Sequence, residues 1–471
     1  MMKASRVKQG LFCLLGCLLI FGLFPADGRT AFKLPLPEKI VLPNGLTVFY
    51  RPNPELPLIS FRLLIAGAGS AYEPADLEGL ANLAADLLLK GAGQRGAEEI
   101  AEAVDFMGAS LDFSASEEYV SGSGECLSVH FPELLRIAYD CVSSPWFKEE
   151  EFKKEQARRI DLIKAIKDNP AQAVRYYFAK AYFGSHPLGH IASGTEISLP
   201  RISSESLKEF YAKQFRPERT LLAVVGNVEK KDLLKLLEST FAQWRVKDRS
   251  TPQRRIPPLP QPKGKKIILV DKPDATQAYF ILGSPGFKMG DVISPAANIM
   301  NTLWGGRFTS WLNTELRIKR GLTYGARSSF QSWKMGGIFT ASSYTKNEQL
   351  EEMLKITLDL LEKARVEGFA AEEVESARNY ILGQFPPTLE TNGSKATAYV
   401  RLSYYGLGFD YYDRYLSLIE KMDVREVGDA AVRFLPRDNY VMVAVGKASE
   451  VRESLRKLGP VEEKKITDPG F

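Results

Sequence analysis

The sequence predicts an α+β protein made of two homologous domains from an internal duplication, each a mostly antiparallel sheet with helices packed on it. Three observations lead to this fold class. The composition is that of a globular protein, with 45% hydrophobic and 25% charged residues in a chain of 471. A short motif and the apolar run that follows it occur twice. Strand-like segments open and close each half, and long helical patterns lie between them.

The duplication is visible at both ends of the halves. Residues 215–217 (FRP) precede an apolar run ending at Gly226, and residues 434–436 (FLP) precede one ending at Gly446. Phe434 follows Phe215 by 219 residues, and the same spacing separates Gly45 from Gly264, each of which precedes a strand-like run. Each half therefore begins and ends with a strand.

The first residues have the pattern of a secretory signal. Lys3, Arg6 and Lys8 precede an apolar run at 11–24, and residues 25–28 offer a cleavage pattern of small residues. The run is shorter than the ~20 residues that a membrane-spanning helix needs. We therefore expect a signal peptide at 1–28, a periplasmic or extracellular protein and no stable membrane span after cleavage. An uncleaved anchor stays open as the lesser alternative.

The mature chain divides at a proline-rich stretch. Residues 250–266 carry five prolines and no hydrophobic periodicity, which favours an extended linker over a packed element. The predicted domains are residues 29–249 and 267–471. Lys and Arg number 62 against 57 Asp and Glu, and they form no basic blocks, which disfavours nucleic acid as a partner. Cys126 and Cys141 could form a disulfide bond or remain buried thiols.

The order and spacing of several short motifs resemble one known family. These motifs are residues 42–46 (LPNGL), 79–81 (GLA), 107–109 (MGA), 186–189 (HPLG) with Gly194, 305–308 (GGRF), 316–317 (LR) and 321–324 (GLTY). Together they resemble the insulinase, pitrilysin and mitochondrial processing peptidase group of zinc metallopeptidases, which carry H-x-x-E-H. The resemblance extends over residues 37–458. It implies two similar domains that enclose a peptide.

The metal motif of that family is degenerate in this chain. In active members, two zinc-binding histidines and the catalytic glutamate follow G-L-A, whereas here those positions are Asn82, Ala85 and Asp86. Counting back from Pro170 puts the third ligand position at Leu162. A catalytic zinc needs three protein ligands and a base. We therefore expect no zinc in this chain, and no peptidase activity from the chain alone.

The three histidines do not form a replacement metal site. His186 and His190 flank a Pro-x-Gly turn, so their four-residue spacing is not that of a helical pair, and His130 is distant in the sequence. We expect exposed or capping imidazoles at this turn.

Two other features of the resemblance concern the substrate. Arg317 and Tyr324 match an arginine and a tyrosine that contact the bound peptide and stabilise the oxyanion from the domain opposite the zinc. A structural role stays open, with Arg317 capping a helix and Tyr324 beginning a strand. A second segment resembles the strand that receives an extended peptide by edge pairing, although an ordinary edge strand would look the same. Its residues are Ser110, Leu111, Asp112, Phe113 and Ser114.

These features predict a non-catalytic subunit of a two-chain zinc metallopeptidase. The zinc would lie in a homologous partner subunit, and this chain would hold no cofactor. It would close the substrate chamber and supply Arg317 and Tyr324 for hydrolysis of a peptide or unfolded protein. The alternative is a structural or peptide-binding protein of the same fold without a proteolytic role, which includes a self-paired scaffold.

Overall fold

Two six-stranded sheets form the framework of the computed structural model, which describes residues 33–246 and 254–471. The first sheet has the order β1-β2-β6-β3-β5-β4 and the second β12-β7-β11-β8-β10-β9. The strands are β1 Glu38–Val41, β2 Thr47–Pro52, β3 Leu58–Ala66, β4 Ser110–Ala115, β5 Tyr119–Leu127, β6 Thr220–Gly226, β7 Lys265–Asp271, β8 Gln277–Pro285, β9 Arg327–Trp333, β10 Gly336–Lys346, β11 Tyr440–Gly446 and β12 Val461–Lys465. The predicted signal peptide lies outside the described residues.

Helices occupy most of the chain between the strands. We number those of eight residues or more: α1 Leu80–Leu87, α2 Ala97–Phe106, α3 Phe131–Ser143, α4 Glu149–Asp168, α5 Pro170–Phe183, α6 Ser204–Gln214, α7 Lys230–Ser239, α8 Ser294–Asn301, α9 Leu350–Val366, α10 Ala371–Gln384, α11 Asn392–Tyr404, α12 Tyr411–Lys421, α13 Val424–Phe434 and α14 Ala448–Arg456. Among the described residues, none of these helices combines the length and the apolar composition that crossing a membrane requires.

The two sheets repeat one topology. The order β2-β6-β3-β5-β4 in the first sheet corresponds to β7-β11-β8-β10-β9 in the second. In each, the opening strand pairs in parallel with the closing strand, β2 with β6 and β7 with β11, and the remaining pairs of this shared set are antiparallel. The closing strands are almost entirely apolar because both of their faces are largely buried. The predicted fold class is confirmed.

A helix from each half packs on the sheet of the other half. Helix α5 lies across β8 and β11, where Phe178 approaches so closely that a Cβ on Gly283 would be 2.2 Å from the ring. Helix α11 lies across β3 and β6 of the first sheet, and the Tyr399 hydroxyl donates to the Pro35 carbonyl over 2.6 Å. The apolar face of each sheet is therefore completed by the other half of the chain.

The proline-rich stretch is extended but packed. Residues 254–263 form no helix or strand, as the sequence predicts. Ile256 and Leu259 are nevertheless buried in the core that contains Phe178, and the Pro257 carbonyl lies 3.0 Å from His186 Nε2. This part of the stretch is therefore an extended segment whose apolar side chains pack into the core.

Both described cysteines are buried free thiols. Cys126 lies on β5 and Cys141 near the end of α3. Burial is the main cause that raises the pKa of each thiol to about 12. Of the two possibilities left open by the sequence, the structure has the free thiols.

Candidate functional site

Helix α1 carries the degenerate metal positions, and several sequence landmarks hold its first turn. The buried Glu73 carboxylate accepts hydrogen bonds from the backbone N–H groups of Gly79, at 3.2 Å, and Ala81, at 2.6 Å. Gly79 has φ +98°, and a Cβ there would be 2.7 Å from the backbone of Gly194. Only glycine fits this contact, which explains two of the glycines among the landmarks.

The two histidines of the HPLG turn stabilise the same region. His186 Nδ1 accepts from the backbone N–H of Leu188 over 3.2 Å and caps the turn, as expected. His190 Nδ1 lies 3.0 Å from the Ser70 carbonyl and 3.6 Å from Glu73 Oε2. Both imidazoles are buried, so of the two expectations for this turn, exposed or capping imidazoles, the capping one holds for His186. Burial raises the pKa of Glu73 to about 6, against the opposing effect of His190.

The metal positions of α1 now make packing and polar contacts. Asn82 donates from Nδ2 to the Ala192 carbonyl over 2.8 Å. Ala85, where the family has its catalytic glutamate, is buried in the core. Asp86 forms an ion pair with Arg159 of α4 and a second one, at 3.3 Å, with Arg158. The first and last of these positions therefore bind protein groups of this chain.

Asp86 belongs to a cluster of four charges between α1 and α4. Glu155 accepts from Arg158 Nε at 2.9 and 3.0 Å, and Arg159 Nε lies 3.5 Å from Glu155 Oε1. The side chains of Arg159 and Glu155 are 8% and 7% exposed, whereas those of Asp86 and Arg158 are 26% and 54% exposed. Desolvation is the largest influence on Asp86 and raises its pKa, and Arg159 opposes it. We call these four residues the Asp86 cluster.

The predicted third metal position, Leu162, lies on the exposed side of α4 and is 48% exposed. The buried residues of α4 are Phe152, Glu155, Arg159, Ile163 and Lys167. A stripe at this spacing is one face of a helix, and Arg159 is its member that faces Asp86. Charged residues inside an otherwise core-facing stripe were the signal in the sequence that could have identified the Asp86 cluster.

These residues do not fit a catalytic zinc. The chain offers an amide, a methyl group and a carboxylate where the family has two imidazoles and a glutamate, and the guanidinium of Arg159 occupies the third side. Within residues 33–246 and 254–471, no group of three or more His, Cys, Asp or Glu side chains could hold a metal ion. On the helix face that carries the metal in active members of the family, this chain has an ion pair instead.

Two cavities flank α1. One of about 300 Å³ lies beside Asp86 and is also lined by Asp112 and Phe113 of β4. Among the described residues, β4 is the edge of the first sheet and pairs only with β5, so its other side has no strand partner, as an acceptor of an extended peptide requires. On this strand Ser110, Asp112 and Ser114 are exposed, Leu111 is half-buried and Phe113 is buried.

The second cavity, of about 610 Å³, lies between the two halves. Asn82 and His190 line it from the first half, and Ser329 and Gln331 of β9 line it from the second. Strand β9 is the edge of the second sheet, just as β4 is the edge of the first. We call this space the inner cavity.

Arg317 and Tyr324 lie on one irregular segment of the second half. Arg317 is in a π-helical turn, Thr314–Lys319, and its guanidinium carbon is 4.8 Å from the centre of the Phe308 ring. The chain then folds back, since the N–H of Gly321 donates to the Arg317 carbonyl and that of Leu322 to the Leu316 carbonyl. Arg317 thus lies inside a turn that backbone hydrogen bonds close.

Tyr324 lies in the loop after this turn, before β9 begins at Arg327. The loop is fixed by Thr323, whose hydroxyl accepts from the N–H of Gly325 and donates to its carbonyl, both at 3.1 Å. The Tyr324 side chain is 79% exposed. Tyr324 therefore precedes β9 rather than beginning it, and its side chain is accessible to a ligand.

Two models of one peptidase family match different parts of the chain. The family model described as insulinase, peptidase family M16, matches residues 48–196, and the one described as peptidase M16 inactive domain matches residues 201–381. The uncharacterized zinc protease YmxG of Bacillus subtilis is 27% identical over 352 residues, which are 75% of this chain and 84% of the relative. The non-peptidase homolog YmxG of Helicobacter pylori is 26% identical over 390 residues, 81% of this chain and 87% of the relative.

Solved structures share the fold. A peptidase M16 inactive domain from Pseudomonas fluorescens superposes with a TM-score of 0.81 at 24% identity, over 88% of this chain and 98% of that one. A protease from Helicobacter pylori superposes with a TM-score of 0.82 at 21% identity, over 88% of this chain and all of the other.

Proposed function

Because the chain belongs to the insulinase family, peptidase family M16, and its metal positions do not fit zinc, we propose that it is the non-catalytic subunit of a two-chain zinc peptidase. A homologous partner holds the zinc. This chain closes the substrate chamber and presents Arg317 and Tyr324 to a peptide or unfolded protein. Both subunits act outside the cytoplasm, in keeping with the signal pattern at residues 1–28.

One contrast within the chain carries the proposal. The metal face of α1 is closed by contacts inside the chain, since Arg159 pairs with Asp86. The loop in the second half, by contrast, leaves Tyr324 79% exposed and accessible. A guanidinium and a phenol O–H are both hydrogen-bond donors suited to a carbonyl oxygen that gains negative charge. This supports a chain that no longer activates water and still contacts the reacting peptide.

A peptide-binding protein without a proteolytic role is the second candidate. The open edge of β4 and the inner cavity could hold an extended peptide that is never cut. The Helicobacter pylori relative, 26% identical, is itself named a non-peptidase homolog, which supports this reading. The two candidates differ in whether a zinc-bearing partner exists.

The test is Tyr324→Phe in the reconstituted pair, after co-purification of the partner from the native host. This change removes one hydroxyl and keeps the ring. Loss of one oxyanion donor lowers turnover by about 100- to 1000-fold. We therefore expect that loss of turnover with an unchanged melting temperature and normal complex formation. Tyr380→Phe on α10, another exposed tyrosine, is the matched control and should turn over at the wild-type rate.

Arg317→Ala should lower turnover in the same way, with a small loss of stability because its side chain also covers Phe308. Near wild-type turnover by Tyr324→Phe would refute the role of the loop. If no zinc-bearing homologue co-purifies, the peptide-binding alternative replaces the proposal.

A further inference from the structure

Two arginines from opposite halves face the same space. Arg175 on α5 and Arg327 at the start of β9 both line the inner cavity. Both also line a smaller cavity of about 320 Å³, which shares Ile281 and Ser342 with the inner cavity. The two spaces are therefore neighbours with common walls, and the two guanidinium groups stand at their junction.

Neither arginine is neutralised by the protein. In the described parts of the chain, neither guanidinium has an ion pair or a hydrogen bond. The smaller cavity has no carboxylate in its wall, and the inner cavity has only Glu117, which accepts a hydrogen bond from Gln331 at 3.3 Å. Arginine is always charged near neutral pH. The smaller cavity thus carries two uncompensated positive charges.

The rest of the smaller cavity is suited to one side chain of a peptide. The rings of Tyr279 and Tyr344 stack at 4.9 Å with an interplanar angle of 14° and form an apolar wall. Ser342 and Ser343 bring hydroxyl groups. Gly325 and Ala326 also line the cavity, directly after Tyr324 in the chain. Its wall therefore includes residues next to the one that we place at the reacting bond.

We propose that this cavity is a specificity pocket for an acidic side chain of the bound peptide, with Arg175 and Arg327 as the specificity-determining residues. A guanidinium presents a planar set of donors that matches a carboxylate, and two of them from different directions recognise both oxygens. A basic side chain would meet two like charges and is excluded. The proposal rests on the proposed function only in placing the peptide in the same chamber.

The experiment measures peptide binding to the full chain without any partner. Two fluorescein-labelled peptides of Ala, Ser and Val are compared that differ only in a central Glu or Gln, and a third carries Lys there. We expect the Glu peptide to bind about 10- to 100-fold tighter than the Gln peptide at low salt. Added NaCl should shrink this ratio, because the arginines are solvent-exposed. The Lys peptide should bind weakest.

Arg175→Gln and Arg327→Gln should each reduce the Glu-to-Gln preference by about tenfold while binding of the Gln peptide stays within about twofold. Arg425→Gln, on an exposed position of α13 that lines neither cavity, is the control and should leave the preference intact.

The proposed specificity pocket is refuted if the Glu and Gln peptides bind with equal affinity. It is also refuted if the preference for Glu survives in the Arg175→Gln/Arg327→Gln double variant. Absence of measurable binding to all three peptides overturns it as well. These readouts need no zinc-bearing partner, so they are separate from the turnover test. A reconstituted pair that fails to cut peptides refutes the proposed function and leaves the binding result standing.

Discussion

Removing Arg159 should expose the energetic role of the Asp86 cluster. The change is Arg159→Met, which keeps much of the side-chain volume and deletes the charge that lies between Asp86 and Glu155. Two carboxylates then stay at the interface of α1 and α4 without their most buried counter-charge. Leaving a buried charge unpaired costs about 3–5 kcal/mol of folding stability.

The partial exposure of the Asp86 cluster reduces the loss of folding stability that we expect. Asp86 is 26% exposed, so water can solvate part of its charge, and Arg158 still contacts both carboxylates from a 54% exposed position. We therefore expect Arg159→Met to lose about 2–3 kcal/mol in the free energy of unfolding. Arg136→Met on α3 is the control, because its ion pair with Glu133 is exposed on both sides, and such a pair contributes about 0–1 kcal/mol.

The loss should also depend on pH with a definite sign. Burial already raises the pKa of Asp86 in the presence of Arg159, and removing the guanidinium removes an influence that lowers it. A carboxyl group with a folded-state pKa above its unfolded value favours the folded state below the unfolded pKa, and that advantage disappears as pH rises through the folded pKa. The deficit of Arg159→Met should therefore shrink from pH 7 towards pH 5.

Urea unfolding followed by circular dichroism at the two pH values measures both effects. The double variant Asp86→Asn/Arg159→Met should recover part of the lost stability at pH 7, because it removes one of the stranded charges. A loss below about 0.5 kcal/mol, an equal loss in Arg136→Met, or a deficit that grows towards pH 5 would each show that the cluster is not a buried ion network.

Two further predictions concern the thiols and the linker. Cys126 and Cys141, with pKa values raised to about 12 by burial, should react slowly with a thiol reagent at pH 8 in the native chain and at once in guanidinium; similar rates in both states would contradict their burial. Limited proteolysis should avoid the peptide bonds between Ile256 and Leu259, because both side chains are buried. Leu259→Ala should lower the free energy of unfolding by about 2–3 kcal/mol and make these bonds sites of early cleavage. Early cleavage there in the wild-type chain would contradict the packing.

The sequence could predict the sheets because their signal is local. The apolar runs at β6 and β11 mark strands buried on both faces, and their repetition reveals the duplication. The crossed packing of α5 and α11 could not be predicted in this way. An amphipathic pattern shows which face of a helix is apolar, and both sheets offer equivalent apolar faces to cover it. Only the tertiary contacts decide which sheet each helix meets.

Prediction of the candidate site is limited in the same way, because the contacts of a single side chain depend on the tertiary structure. The positions on α1 follow directly from a short motif, and the structure places Asn82 and Asp86 with the polar contacts of that face. On α4, a count from Pro170 predicts only Leu162, and neighbouring side chains on a helix differ in direction by about 100°. Leu162 is exposed whereas Ile163 is buried. A count along the chain does not reveal that Arg159 pairs with Asp86, whereas the buried stripe of α4 contains Arg159.

The contacts of α1 explain how the metal chemistry could be lost while the fold stayed. Leu80, Leu83 and Leu87 pack this helix into the core, and none of them is a metal position. The two outer metal positions have become ties within the chain, Asn82 to the segment after His190 and Asp86 to α4. Both contacts join groups of this chain and hold the helix in place. The function should then lie on surfaces that the fold presents and does not close, which are the Tyr324 loop and the cavity of Arg175 and Arg327.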